Sequence, residues 1–353
     1  MIKNIKNQLR LAKRTLLTET LPRLCYRSER LSSMYYFLFD NSFSREHRAV
    51  LSGTVKHISE VKKTKNNYFL LVRNTHRIEK GLLMRPKRAV FGKEYIGETI
   101  ECFSGVWNPD QIETNAQMKW FYDVLSEYFS GAKEDTYVNS LYERFKQIVS
   151  ESYESKDAPA AVKSVPYIRQ ANNFAQIPFD EFYKLTKQRR SVRWFLNKPV
   201  PREILDKAIL AANQAPSACN RQPFEFRIYD DPELLKEVVG YPMGIKGYGH
   251  SIPVLIVIVG NLDAYFEERD RHVMYIDASL ASMSLMLALE TLGLSSCSIN
   301  WPDIESLERK MENFLKIEKY QRPIMCMGIG YPDPEGMVAF SEKRPLEHIR
   351  KYN

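Results

Sequence analysis

Residues 189–223, RRSVRWFLNKPVPREILDKAILAANQAPSACNRQP, constrain this chain more than any other stretch. The segment opens with Arg189, Arg190 and Arg193 around the hydroxyl of Ser191, and closes with Pro216, Ser217, Asn220, Arg221, Gln222 and Pro223. Between these clusters, Ile204, Leu205, Ala208, Ile209 and Ala212 recur at helical spacing. Pro199 and Pro201 mark the start of that helix and Pro216 its end. At roughly 1.5 Å per residue, it holds the cationic cluster and the amide-rich cluster about 20–30 Å apart. That distance is awkward for one small ligand in one chain. A long ligand resolves it, and so does a dimer in which opposite ends of two such helices meet.

Helix and strand signals alternate from residue 179 onward. Residues 179–188 read as a short helix and 224–229 as a strand, and Asp231-Pro232 opens another short helix with proline in its first turn. The apolar run 252–260 contains Pro253 and is too short to span a bilayer, so it reads as a buried strand. Residues 273–292 read as a long helix closed by Gly293. Residues 295–301 read as a strand, 304–316 as a helix capped by Asp303, and 322–329 as the last buried strand. The spacing does not follow a regular Rossmann alternation. The expected class is therefore α+β, a mixed or antiparallel sheet flanked by helices and preceded by an all-α region. In that region residues 53–84 read as one long helix, and 117–129 and 139–150 as two more. Composition turns loop-like at Ala158-Pro159, Pro166, residues 170–173 and Pro178. The expected division is a basic, mainly helical region over 1–155, a linker over 156–178 and a second domain over 179–353.

Charge is unevenly spread. Residues 1–100 hold 21 Lys and Arg against 8 Asp and Glu, whereas the remaining residues hold 30 against 35. This asymmetry suggests an anionic partner for the N-terminal part alone. Ile5, Leu9, Leu16 and Leu17 alternate with Lys3, Lys6, Arg10, Lys13 and Arg14. Such a helix fits either an anionic membrane surface or its own domain with a solvated basic face. Residues 76–95 crowd His76, Arg77, Lys80, Arg85, Lys87, Arg88 and Lys93 around Gly81 and Gly92, which fits a phosphate or carboxylate cradle and a solvated loop equally. The five cysteines are scattered with no C-x-x-C pair, which argues for a reducing compartment and against structural zinc. With no secretory leader pattern, the expected location is cytoplasmic, with a peripheral membrane position open. No metal and no nucleic-acid partner are expected.

Three polar clusters ask for a common ligand: Arg189/Ser191/Arg193, Ser217/Asn220/Gln222 and Lys343/Arg344. Arginines beside a hydroxyl suit a terminal phosphate. Asn and Gln suit the mixed donor–acceptor edge of a heteroaromatic ring. Together they suit a flat ring on a phosphorylated tail. Each cluster alone also fits ordinary solvated charge or turn chemistry.

The order R-R-S-V-R, then P-S-x-x-N-x-Q-P, a helix ending G-L-x-S, then G-x-G-Y-P and a closing K-R-P-L-E resembles the nitroreductase superfamily over roughly residues 179–353. That resemblance implies an α+β homodimer with FMN at the subunit interface, which removes the distance problem. It implies that Arg189 and Ser191 meet the FMN phosphate and ribityl chain, and that Arg193 meets the pyrimidine edge. Arg190 belongs to the same cluster but is the member most readily assigned to structure. Pro216 and Ser217 fall near the ribityl or ring, Asn220 and Gln222 near the polar edge, and the backbone of Ser298, Ile299 and Asn300 over the ring. Lys343 or Arg344 closes on the phosphate. The tail reads Ser341-Glu342-Lys343-Arg344 where the family often has Lys-x-Arg, which leaves the choice of cation open.

The implied activity is FMN-dependent ping-pong hydride transfer from NAD(P)H to a nitroaromatic, quinone or other small acceptor, with no side-chain acid or base required. Dehydrogenation and dehalogenation belong to the same family repertoire. The alternatives are a non-catalytic flavin-binding protein and a membrane- or polyanion-docking protein built on the same fold.

Overall fold

The computed structural model describes residues 2–64, 67–86, 88–132, 135–150 and 163–352. Its first half is helical: α1 (Ile2–Thr15), α2 (Leu21–Cys25), α3 (Glu29–Leu38), α4 (Ser44–Ser59), α5 (Tyr68–Leu82), α6 (Lys93–Val106), α7 (Ala116–Gly131) and α8 (Thr136–Ser150). The single helix expected over 53–84 is two. The chain leaves α4 through a π turn, Glu60–Thr64, and restarts at Asn67, whose Oδ1 accepts the Leu70 N–H at 2.7 Å. Asparagine is a strong N-cap, and this one fixes the break where apolar spacing alone does not.

α5 to α8 close around an aromatic core containing Phe103, Phe121, Tyr128, Phe129 and Phe145. Phe145 lies 5.4 Å from both Phe103 and Phe129, ring centre to ring centre. The basic 76–95 region serves this packing. A Cβ on Gly81 would stand 2.0 Å from the Phe91 ring, so that glycine admits a ring rather than an anion. Lys93 is paired with Asp135 at 2.7 Å, and Arg77 lies 3.6 Å above the Tyr95 ring and 3.8 Å from Glu94. Lys87 lies outside the described residues, as do residues 156–162 of the expected 156–178 linker.

The second half comprises α9 (Phe179–Gln188), α10 (Arg202–Ala212), β1 (Phe224–Tyr229), α11 (Pro232–Val238), β2 (Val254–Asn261), α12 (Val273–Thr291), β3 (Ser295–Asn300), α13 (Glu305–Leu315), β4 (Gln321–Gly330) and the short α14 (Leu346–Ile349). The strands form one antiparallel sheet in the order β1-β2-β4-β3. Strand alternation sends Val254, Ile256 and Ile258 toward α10 and α12, and Leu255, Val257 and Val259 toward α11 and α13. The sheet is therefore buried on both faces, and the α+β expectation holds.

Glu268–Thr291 is long and apolar enough to cross a membrane by length and composition. Met274, Ala278, Ala281, Leu285 and Leu289 of this segment are buried against the rest of the domain, the place of a core helix. Asp303 does not cap α13. Ile304 occupies that position, and Asp303 instead accepts from Arg322 at 2.7 Å.

α4 joins the halves. A Cβ on Gly53 would stand 2.6 Å from the backbone of Leu262, and Ala49 shares a core with Leu262, Ala264, Tyr265 and Met274. His57 Nδ1 donates to the Asp263 carbonyl at 2.8 Å, and Lys56 reaches Asp263 Oδ2 at 2.6 Å and Tyr320 Oη at 2.7 Å. Arg45 forks onto Glu305 at 2.8 and 2.9 Å and reaches Glu312 at 2.6 Å.

Candidate cofactor site

The arginine segment is laid down by β-pairing at the edge of the sheet. Ser191 bridges Ser296 of β3, with Val192 N–H donating to the Ser296 carbonyl at 3.1 Å. Phe195 bridges Pro332, and Leu196 N–H donates to the Tyr331 carbonyl at 2.9 Å. Val192 and Phe195 point into the core, while Arg193 and Trp194 between them are exposed. Arg189, Arg190 and Ser191 are half-buried and Arg193 is exposed.

The Arg189 Nε is buried and has no hydrogen-bond partner, and the Ser296 Oγ beside the Ser191 bridge is in the same state. Buried donors are normally satisfied, so an orphan guanidinium N–H beside a hydroxyl is the mark of a missing acceptor. Ser251 Oγ donates to the Arg193 carbonyl at 2.8 Å, and the Arg193 guanidinium lies 5.8 Å from the Tyr248 ring. Burial raises the Tyr248 phenol to about 12, with Cys297 adding to the rise and Arg193 opposing it. That phenol is a proton-bearing donor at neutral pH.

Along β3, Ser298 and Asn300 face outward and Ile299 faces the core. Ile299 therefore offers a ligand only its backbone. Ser298 Oγ lies 3.2 Å from Met286 Sδ.

The amide-rich turn is wound tightly. Cys219, Asn220 and Gln222 all have positive φ, at 54°, 56° and 50°. Non-glycine residues in the left-handed region are costly and need surrounding structure to hold them there. Ser217 Oγ accepts the Gln222 N–H at 3.1 Å, and Gln222 Nε2 donates to Asn220 Oδ1 at 3.2 Å. Asp277 Oδ2 accepts the Ala218 N–H at 3.0 Å. Asp277 is the one charged residue between Val273 and Leu289, a signal present in the sequence that its apolar setting hides. Burial raises its carboxyl above the usual range. Pro216 is exposed at the mouth of the turn.

The remaining predicted cations are apart from both clusters. Lys343 and Arg344 are exposed, and their hydrogen bonds, Lys343 N–H to Glu342 at 2.7 Å and Arg344 to the His348 carbonyl at 3.2 Å, stay inside the tail. Among the described residues, no hydrogen bond or ion pair joins Arg189–Arg193 to Ser217–Gln222 or to the tail. Two clefts lie elsewhere, between the N-terminal helices and the second domain. One of about 320 Å³ runs along Arg45, Asp303 and Lys319, and one of about 800 Å³ along Tyr36, Phe43, His47 and His272. A single chain thus presents the predicted site in separate pieces.

Comparison with known proteins bears on these pieces. The Nitroreductase family description matches residues 186–245 and 241–331, the span holding both clusters and the whole sheet. Human iodotyrosine deiodinase 1 is 27% identical over 197 residues, covering 48% of this chain and 67% of that protein. An NADPH-dependent oxidoreductase of Staphylococcus epidermidis is 26% identical over 184 residues, covering 48% and 72%. The solved FMN-dependent nitroreductase of Clostridium difficile R20291 aligns at 26% identity with a TM-score of 0.41, covering 48% of this chain and 98% of that one. The arginine strap, the strained amide turn and the antiparallel sheet stand in the order that the motifs require, and the C-terminal part of this chain is similar to the nitroreductase family over residues 186–331.

Proposed function

We propose that the protein is a homodimeric, FMN-dependent oxidoreductase that draws electrons from NADH or NADPH and delivers them to a small aromatic acceptor. The observation that carries the reading is the buried, unpartnered Arg189 Nε beside Ser191, a donor set that fits a phosphate. Arg189 and Ser191 would hold the FMN phosphate and ribityl chain, with Lys343 or Arg344 supplied by a second copy. Arg193 would stand at the pyrimidine edge, where a fixed cation favours negative charge on the ring. Ser217, Asn220 and Gln222 would meet the polar edge, and the backbone from Ser298 to Asn300 would flank the ring. FMN supplies the hydride and electron chemistry; the chain's residues bind, orient and exclude water.

The exposed tail favours the dimer: Met337, Phe340 and Ile349 are 91%, 75% and 64% exposed and find no cover on their own domain. The acceptor is a nitroaromatic, a quinone or a halogenated aromatic, the last because several relatives are iodotyrosine deiodinases. Titrating apo-protein with FMN tests the reading. Arg189→Gln should weaken binding by about tenfold or more, as expected for losing a charge-assisted phosphate contact. Unchanged FMN affinity in that variant contradicts it. Turnover of a nitroaromatic against an iodotyrosine then separates the acceptor classes.

A second reading concerns the N-terminal arm. α1 and the π turn that follows it carry Ile5, Leu9 and Leu16 on one stripe, 50%, 66% and 48% exposed, beside Lys3, Lys6, Arg10 and Lys13. We propose that this face rests on an anionic membrane surface. Salt-sensitive co-sedimentation with phosphatidylserine vesicles, lost on deleting residues 1–20, is the expected result, and equal sedimentation without those residues refutes it.

A further inference from the structure

α5 of the helical unit packs directly on the turn Ala218–Asn220 and approaches Leu262–Ala264. That contact brings together three groups, Arg73, Arg221 and Tyr265, with donors left without a hydrogen-bond partner among the described residues. Arg221, between Asn220 and Gln222, is 9% exposed, and its Nε is buried without a hydrogen-bond partner. Tyr265 is 3% exposed, lies 4.7 Å beneath the Arg221 guanidinium, and has an equally orphaned hydroxyl. Burial drives its phenol upward, so it remains a donor. Arg73, on α5, is half-buried with no hydrogen bond or ion pair among the described residues, and its guanidinium stands 5.9 Å from the ring of Phe266, the residue after Tyr265.

The neighbouring carboxylates do not answer these donors. Asp270 Oδ2 is 3.7 Å from Arg221, beyond hydrogen-bond length. The same oxygen of Asp277 that faces the turn is engaged by the Ala218 N–H. Arg77, the third arginine of the group, is already matched to Glu94 and the Tyr95 ring. Burial and then the charge of Arg221 both disfavour the ionised form of Arg73. Two guanidinium groups that repel each other beside a buried tyrosine, with Asp270 as a distant counter-charge at 3.7 Å, leave hydrogen-bonding capacity for a further anion.

We propose that Arg73, Arg221 and Tyr265 form an oxyanion subsite beside the amide-rich turn, which receives a carboxylate or phosphate group carried by the acceptor. The inference rests on reading that turn as one wall of the cofactor site. It gives the helical unit a part in substrate selection: α5 supplies a second cation beside Arg221 of the sheet domain. The acceptor is then an anionic aromatic, held by its charged substituent. Guanidinium groups suit either anion, because both present paired oxygens to a planar fork of N–H donors.

Calorimetric titration of the purified full-length protein with benzoate, phenyl phosphate and neutral benzamide tests the subsite directly. At least one anion should bind tenfold or more tightly than benzamide. Arg73→Gln should remove that preference, Arg73→Lys should retain part of it, and Tyr265→Phe should weaken the anion about threefold. If Arg73→Gln fails to fold, Tyr265→Phe carries the test alone. Benzamide binding as tightly as both anions overturns the proposal, and so does anion binding left intact in the variants. FMN content, read separately by absorbance, reports on the cofactor reading independently of either outcome. The relative strength of benzoate and phenyl phosphate identifies which oxyanion the site prefers.

Discussion

Between α5 and α8 the large side chains turn inward, and Phe103, Phe121, Tyr128 and Phe129 are each at most 2% exposed. On α12 of the sheet domain, Ile276, Leu280 and Met283 are 58%, 44% and 40% exposed although the helix is apolar nearly all round. A helix that is apolar on every side is buried on every side in the finished assembly. The helical unit completes its core within one chain, whereas the sheet domain leaves apolar surface exposed. The same contrast runs through the proposed site: the residues proposed to hold the cofactor lie on the incomplete domain, and the complete one leans α5 against the amide-rich turn.

Four experiments test this contrast. The largest effect is expected at the closed core. Phe121→Ala should cost about 3–5 kcal/mol in a denaturant melt, because a fully enclosed ring leaves a cavity. A loss below about 1 kcal/mol would mean that the core is looser than it is drawn.

Next comes the buried ion group beneath α13. Glu308 accepts from Trp301 Nε1 at 2.6 Å and lies 3.4 Å from Arg322, both charged side chains being 3% exposed. Glu308→Gln should destabilise by about 3 kcal/mol, the low end for breaking a buried pair, because Asp303 still holds Arg322. A neutral result would show that Asp303 alone suffices.

On the open face, Ile276→Asp should weaken self-association by about tenfold or more, read as a shift toward monomer mass in light scattering. Unchanged mass would place the dimer seam elsewhere. The smallest effect is a pH dependence at the joint between the halves. Burial lowers the His57 imidazole below its ordinary 6.5, and the His57–Asp263 hydrogen bond opposes that shift only in part. A depressed folded value means the neutral ring is preferred, so this stability is complete above about pH 6.5 and declines as pH falls through the folded value. The decline is at most about 1.4 kcal/mol per pH unit. His57→Gln should flatten the profile between pH 5 and 7, and an unchanged slope would assign it to another group.

Much of the sheet domain was legible because its signals are local. Periodicity marks α10, α12 and β2, and the Arg189–Arg193 and Ser217–Gln222 clusters stand out by residue type alone. The rest depends on contacts that no local pattern carries. Asn67 as a cap, Gly53 against Leu262, and Gly81 under Phe91 are each fixed by what arrives from elsewhere in the chain. Asp303 looks like a helix cap in sequence, yet the buried cation of Arg322 claims it. Arg73 reads as one more solvated charge in a basic region. Only the packing of α5 on the turn reveals that it lacks a partner.

The central claim is that the sheet domain works as a flavin oxidoreductase. The most direct test is the absorption spectrum of the purified full-length protein, before and after NADH or NADPH is added without oxygen. We predict the bands of oxidised flavin and their bleaching by at least one nicotinamide. A colourless protein that FMN cannot reconstitute, or a yellow one that neither nucleotide bleaches, would contradict the claim.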